Sequence, residues 1–245
     1  MKQIFFTTAI IFLLFTSCTK EFVKHERIRP SGVIVEETFY LSENIHRVGV
    51  SGAINLHLFS GDEDHIKIFA DDNVLPHIAV RQISRNGLEI FLEGVSFIRS
   101  APQITVYLTL RDLRNLHLSG ASSAHINDVF ISDNLQINLG GASRFRVSGR
   151  IEANRISATL SGASRMDLVG HSETLDLTLS GASQAFGYGM ICDNLIANLS
   201  GASRAEFTVL ETLSARLSGA SVLRYNGNPQ IIFSDISGAS SLQRR

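Results

Sequence analysis

ATLSGASRMDL, residues 158–168, reads as two short alternating stretches on either side of a small triplet. Ile156, Ala158 and Leu160 share one parity ahead of Gly162, and Met166 and Leu168 share one parity behind it. Side chains two residues apart lie on one face of a strand, so each stretch is a strand with one apolar face. The same unit recurs about Gly120, Gly141, Gly162, Gly181, Gly201, Gly219 and Gly238, at intervals of 21, 21, 19, 20, 18 and 19 residues. A persistent period near twenty, with no room for a helix, marks a repeat architecture in which each unit buries its apolar face against the next.

The columns support this. Two residues before each glycine stand Leu118, Leu139, Leu160, Leu179, Leu199, Leu217 and Ile236. Four beyond it stand Ala124, Phe145, Met166, Ala185, Ala205, Leu223 and Leu242. Length varies only between units, as expected of corners that bulge while strands keep register. The expected fold is all-β, a single-stranded β-helix or β-solenoid with about seven short rungs. Parallel stacking at ~4.8 Å per rung makes it about 29 Å long across six intervals.

The triplets are read as structural corners. Glycine reaches positive φ and close backbone approach, alanine is small, and serine can bond to nearby backbone. A nucleophile elbow would need Gly-x-Ser-x-Gly on a strand-to-helix turn, whereas here the serine is followed by Ser123, Arg144, Arg165, Gln184, Arg204, Val222 or Ser241.

The chain opens MKQIFFTTAIIFLLFTSC, a positive Lys2 followed by an apolar run too short to span a bilayer as a helix. This segment resembles a bacterial lipoprotein signal, with lipidation expected at Cys18; Thr19-Lys20-Glu21 resembles an export signal to the outer face of the outer membrane. The expected location is therefore an outer-membrane lipoprotein, exposed at the surface or facing the periplasm. With Cys18 lipidated, Cys192 has no disulfide partner in the chain and reads as a buried small residue. A net charge of −1 excludes a nucleic-acid binder held by backbone charge. The division reads 1–17 signal peptide, 18–35 tether, 36–110 N-terminal β region capping the solenoid, and 111–245 Gly-Ala-Ser solenoid.

VSGAINLHLFSGDEDHIKIFADDN, starting at Val50, then NGLEI and the serial LSGAS units, together resemble the auto-transporter adhesin, head GIN domain family of Bacteroidetes and related bacteria. The likeness covers roughly residues 40–240 and rests on Gly52, Asn55 and Gly61 ahead of the repeats. It implies a β-helical, exported or lipid-anchored domain and brings no catalytic set. Gly140 and Val222 depart from its serine and polar columns.

Two outward columns carry charge. Eight residues before each glycine, Asp112, Asp133, Glu173, Asp193 and Glu211 form a candidate cation-facing acidic column, against the plainer reading of solvated turn residues. Three residues after it, Arg144, Arg165 and Arg204 form a candidate ligand-facing basic column, against ordinary surface pairing with Asp167 or Glu206. Phe130, Phe186 and Tyr188 fall at outward parity without a contiguous aromatic face. His57, His65, Asp62, Glu63 and Asp64 could meet across a hairpin but have no metal-ligand spacing, and no metal or other cofactor is expected. The reading is a non-catalytic, adhesin-like envelope scaffold whose partners are the membrane, through its lipid, and an envelope glycan or protein. It is monomeric or weakly associated end to end. The alternative is a polysaccharide-active enzyme with two convergent carboxyl groups on a solenoid face.

Overall fold

A computed structural model describes residues 26–41, 44–98 and 103–245 of the chain. The expected signal peptide, the Cys18 anchor and the first part of the tether, to residue 25, lie outside them. The fold is an all-β solenoid of about six stacked turns, since seven corners bound six intervals.

Each turn has three walls. The first lies ahead of each Gly-Ala-Ser, the second follows it, and the third returns the chain to the next rung; Gln184–Leu199 runs through all of the second, third and first in one strand. Neighbouring rungs pair parallel and in register: Leu139 with Leu160, Leu160 with Leu179, Leu179 with Leu199 and Leu199 with Leu217. These leucines are buried. At roughly 25 cal/mol per Å² of apolar surface removed from water, such ladders are the main stabilising contribution.

The corners continue the ladder. The Ala142 N–H donates to the Gly120 carbonyl and Ala163 to Gly141, both at 2.8 Å. Gly141, Gly162, Gly181 and Gly201 hold φ at 71–73°. A Cβ on Gly162 would stand 2.5 Å from the Gly141 oxygen. The triplet serines from Ser122 to Ser221 turn inward and are buried, and only Ser240 at the open end is not; Ser122 Oγ donates to the Ser119 carbonyl and Ser183 Oγ to that of Ser180, both at 2.8 Å.

Stacking starts before the first full repeat. Arg47–Gly52 pairs parallel with Asn115–Gly120, setting Gly52 beside Gly120, and Ile54–Ser60 pairs parallel with Ser123–Ile126. On their other side these strands still pair parallel, with Gly87–Leu92 and Ile104–Leu110 in turn, and only beyond those does the pairing turn antiparallel. His65–Asp71 lies against Ile104–Leu110 and Ile34–Tyr40, and Ile78–Ser84 lies against Gly87–Leu92. The opposite end is bare, with Ile236 43% exposed and Ile232 60% exposed in Gln230–Ile236, the last strand of the first wall, which only Ser241–Arg244 of the second wall follows.

One parity expectation fails. Phe130 is 3% exposed and belongs to the core, while Val129 and Ile131 on either side face water. Phe130 keeps the parity of the buried Ala124 and Ile126, and Ser132 continues it; the alternation resets only at Asp133 and Asn134, both exposed, so parity counted back from Gly141 does not carry across the bend between the third and first walls.

Candidate functional site

The second wall carries the basic column. Its register runs Ser123, Arg144, Arg165, Gln184, Arg204 and Val222, one residue per strand. Two residues on, a parallel column runs His125, Arg146, Asp167, Phe186, Glu206 and Arg224. Several of these charges pair on the wall. Arg165 reaches Asp167 at 2.8 Å, which holds its guanidinium pKa above the usual value, and its Cζ lies 4.6 Å from the Phe186 ring centre. Arg224 reaches Glu206 at 3.2 Å, and Arg146 shares Asp167 at 4.0 Å. Arg144 and Arg204 have no carboxylate partner among the described residues, so five guanidinium groups face two carboxylates along this stretch.

The acidic column sits at the bend between the third and first walls and does not converge. Asp112 is held by Arg114 at 2.6 Å, with His46 at 3.5 Å. Asn154 separates Asp133 from Glu173 and donates to Asp133 at 3.4 Å. Asp193 lies 3.4 Å from His171, and Glu211 is exposed. Among the described residues no three His, Cys, Asp or Glu side chains are grouped so as to hold a metal ion. The hairpin cluster is likewise absorbed in backbone bonds: Asp64 accepts from the Ile45 and Arg111 N–H groups at 2.9 and 3.2 Å, and His65 Nδ1 lies 3.1 Å from the Glu63 carbonyl.

Cys192 lies inside the solenoid beside Ser172 and Val209. Burial, then the Asp193 charge, pushes its thiol up to about 12, and Sγ contacts the Thr208 carbonyl at 3.4 Å. Such a thiol is no nucleophile at neutral pH.

One feature was not visible in the sequence. On the outer face of the second wall, above Arg146, the strands stack Tyr107, His57 and His125 in register. The His57 and Tyr107 rings are 5.1 Å apart and nearly parallel, Phe59 stacks on Tyr107 at 6.1 Å, and Phe69 meets Tyr107 edge-on at 5.6 Å. The rings largely cover one another's faces, which makes them an aromatic ladder more than a platform. The signal was hidden because these strands pair out of chain order.

The chain matches the family model "Putative auto-transporter adhesin, head GIN domain" over residues 44–229. It belongs to that family. The solved structures similar to this GIN-domain chain include a "putative adhesin" of Bacteroides fragilis at 16% identity and TM-score 0.79, covering 89% of this chain and 100% of that one. A "putative adhesin" of Parabacteroides merdae matches at 17% identity and TM-score 0.64, covering 89% and 99%. A "putative lipid binding protein" of Parabacteroides distasonis matches at 15% identity and TM-score 0.65, covering 90% and 100%. No curated protein matches the chain. These three similar structures carry adhesin and lipid-binding names.

Proposed function

We propose that the protein is an adhesin-like scaffold of the cell envelope, anchored by a lipid on Cys18 at the outer membrane and holding an envelope glycan or protein against its second wall. The division of the chain into signal peptide (1–17), tether (18–35), cap (36–110) and repeat solenoid (111–245) belongs to this reading. The Gly-Ala-Ser units at Gly120 to Gly238 then serve shape, and the wall between them serves contact. The observation that carries the proposal is the in-register column Arg144, Arg165 and Arg204, in which Arg144 and Arg204 are left without carboxylates. Guanidinium forks presented at strand spacing suit acidic groups repeated along an extended partner. The acidic column, Asp112, Asp133, Glu173, Asp193 and Glu211, is a weaker cation-facing candidate because its members are dispersed and several are already paired.

The test is binding of the purified chain to a panel of acidic and neutral envelope glycans, with and without calcium. Arg144→Gln together with Arg204→Gln is expected to abolish binding to acidic members and leave the fold unchanged by circular dichroism. Binding indifferent to both substitutions would overturn the assignment of this wall. Anchoring is tested by fractionation, in which Cys18→Ala releases the protein from the outer membrane; protease shaving of intact cells then separates the surface face from the periplasmic one.

A second reading is favoured by a groove of about 530 Å³ at the cap, lined by Phe39, Tyr40, Leu41, Leu75, Ile78 and Val80 together with Glu37 and Gln82. It lies between the free edges of Ile34–Tyr40 and Ile78–Ser84, and a single acyl chain is the occupant it suits, in keeping with the name of the Parabacteroides distasonis relative. Displacement of a fluorescent fatty acid, lost in Ile78→Glu, tests it.

A further inference from the structure

The first wall has a gap in its outer surface. Along most of this wall the outward positions carry side chains on every rung; on Arg47–Gly52 they are Arg47, Gly49 and Ser51, and since serine is the usual residue at the last of these, Gly49 alone opens the gap. Gly49 lies between Glu89 on one neighbouring strand and His117 on the other, and Ser51 lies beside Ser119. The result is a notch of about 310 Å³ whose floor is nearly bare backbone, with Glu89 and Phe91 on one bank and His117 and Ser119 on the other. The banks are two strand spacings apart, about 9.6 Å.

Gly49 is not required by the backbone, because its φ is not in the left-handed region. A glycine in a strand interior weakens the strand and often marks close approach by a ligand or another backbone. Among the described residues only Glu89 leans over this space: a Cβ on residue 49 would stand 3.2 Å from Glu89 Cγ and 3.8 Å from its Oε1. Glu89 has no ion-pair partner among the described residues, although Arg81 lies opposite it in register. Arg81 is engaged elsewhere, by Glu93 at 2.5 Å and by the Phe91 ring, whose centre is 5.0 Å from its Cζ. Arg81 comes from the strand on the far side of Phe91 from the notch. The ring is thus clamped on that side and only partly buried.

We propose that this notch binds one pyranose ring of an envelope glycan. The apolar C–H face of a sugar lies against Phe91, the Glu89 carboxylate accepts from its hydroxyls, and His117, Ser51 and Ser119 supply donors and acceptors across the gap. The volume is at the small end of ligand sites, which begin near ~300 Å³, and so suits one ring and not a longer segment. A free primary amine would also be drawn to Glu89, but the Arg81 charge on the same ring opposes a cation there. The inference rests on the scaffold reading in one respect only, that the ligand comes from an envelope glycan. It assigns recognition to a different wall.

Titration of the isotope-labelled full chain with methyl glucoside, methyl galactoside and N-acetylglucosamine, followed through amide chemical shifts, tests the proposal. Mannitol, an open-chain polyol with hydroxyls but no ring face, is the control. At least one pyranose is expected to shift the amides of Gly49, Ser51 and His117 with millimolar affinity, with mannitol silent. Gly49→Val, which fills the gap, and Glu89→Gln, which keeps its shape, are each expected to weaken binding about tenfold or more, roughly 1.4 kcal/mol. Should Gly49→Val fail to fold, Glu89→Gln and Phe91→Ala carry the test. No pyranose shifting these amides, equal shifts from mannitol, or shifts unchanged in the variants would each overturn the notch. Glycan binding that is lost in the Arg144 and Arg204 variants but kept in Gly49→Val would overturn it too, while leaving the scaffold reading standing.

Discussion

At Gly201 the φ of 73° and the Gly181 oxygen, 2.5 Å from where a Cβ would stand, penalise a side chain in two separate ways. Gly32 isolates the first, since its φ is +84° and nothing lies within 4 Å of a Cβ there. Gly32→Ala is expected to cost about 1–2 kcal/mol, the price of a left-handed residue. Gly201→Ala should cost at least ~1 kcal/mol more, because the clash is with backbone that can yield only by opening the ladder. Urea midpoints of the two variants measure the difference, and equal values would mean that the corner is not tightly stacked. The buried thiol gives a second reading at this scale. With its pKa raised to about 12, Cys192 should resist iodoacetamide at pH 8 in the folded chain and react fully in urea, as read by peptide mass. The linkage has a sign: the unfolded thiol ionises from about 9, so this residue's contribution to stability is present below pH 9 and is lost as pH rises toward 12.

The strands show which parts of the molecule could be read in advance. Leu139, Leu160 and Leu179 were legible because a period of two within one straight segment leaves a side chain only two directions, and the same segment recurs above and below. Leu160→Ala should cost about 2–5 kcal/mol, whereas Ile232→Ala, in the exposed strand Gln230–Ile236, should be nearly neutral. Phe130 was misread because the two exposed residues Asp133 and Asn134 shift the alternation between it and Gly141, and no local pattern reports such a shift at a bend. The Tyr107–His57–His125 ladder and the Gly49 notch were illegible for another reason. Each is assembled from strands that are adjacent in space but dozens of residues apart, and in the cap the pairing changes direction. The ladder has its own pH dependence. Burial, and then the His125 charge, lowers the His57 pKa below 6.5, so protonation is resisted in the folded chain. Its contribution to stability is therefore present above the ordinary histidine value and falls as pH drops through it. Unfolding at pH 7.5 and pH 5 should show a smaller loss in His57→Phe than in the parent chain, and an identical loss would remove the ladder from the account.

Across the whole molecule the three walls divide the work that one interior makes possible. Every rung contributes an aliphatic layer to the same core, which leaves the outer positions free to differ: the second wall gathers arginine, the first keeps a notch near the cap, and the bends disperse their carboxylates. A stack held by nearest-neighbour contacts should also lose structure from whichever end is less covered. The cap end closes its first parallel strands with antiparallel ones, whereas Gln230–Ile236 pairs with the rung beneath it and presents Ile231, Ile232, Phe233 and Ile236 to solvent. Hydrogen exchange should therefore be fastest in Gln230–Ile236 and slowest in the central segment Leu175–Leu179, with intermediate protection in Arg204–Leu217. Dilution separates the monomer from the end-to-end associate. If exchange in Gln230–Ile236 slows as protein concentration rises while the central strands are unchanged, a second copy is covering that edge. If Gln230–Ile236 is as protected as the centre at every concentration, unravelling from this end is wrong and the stack opens as one unit.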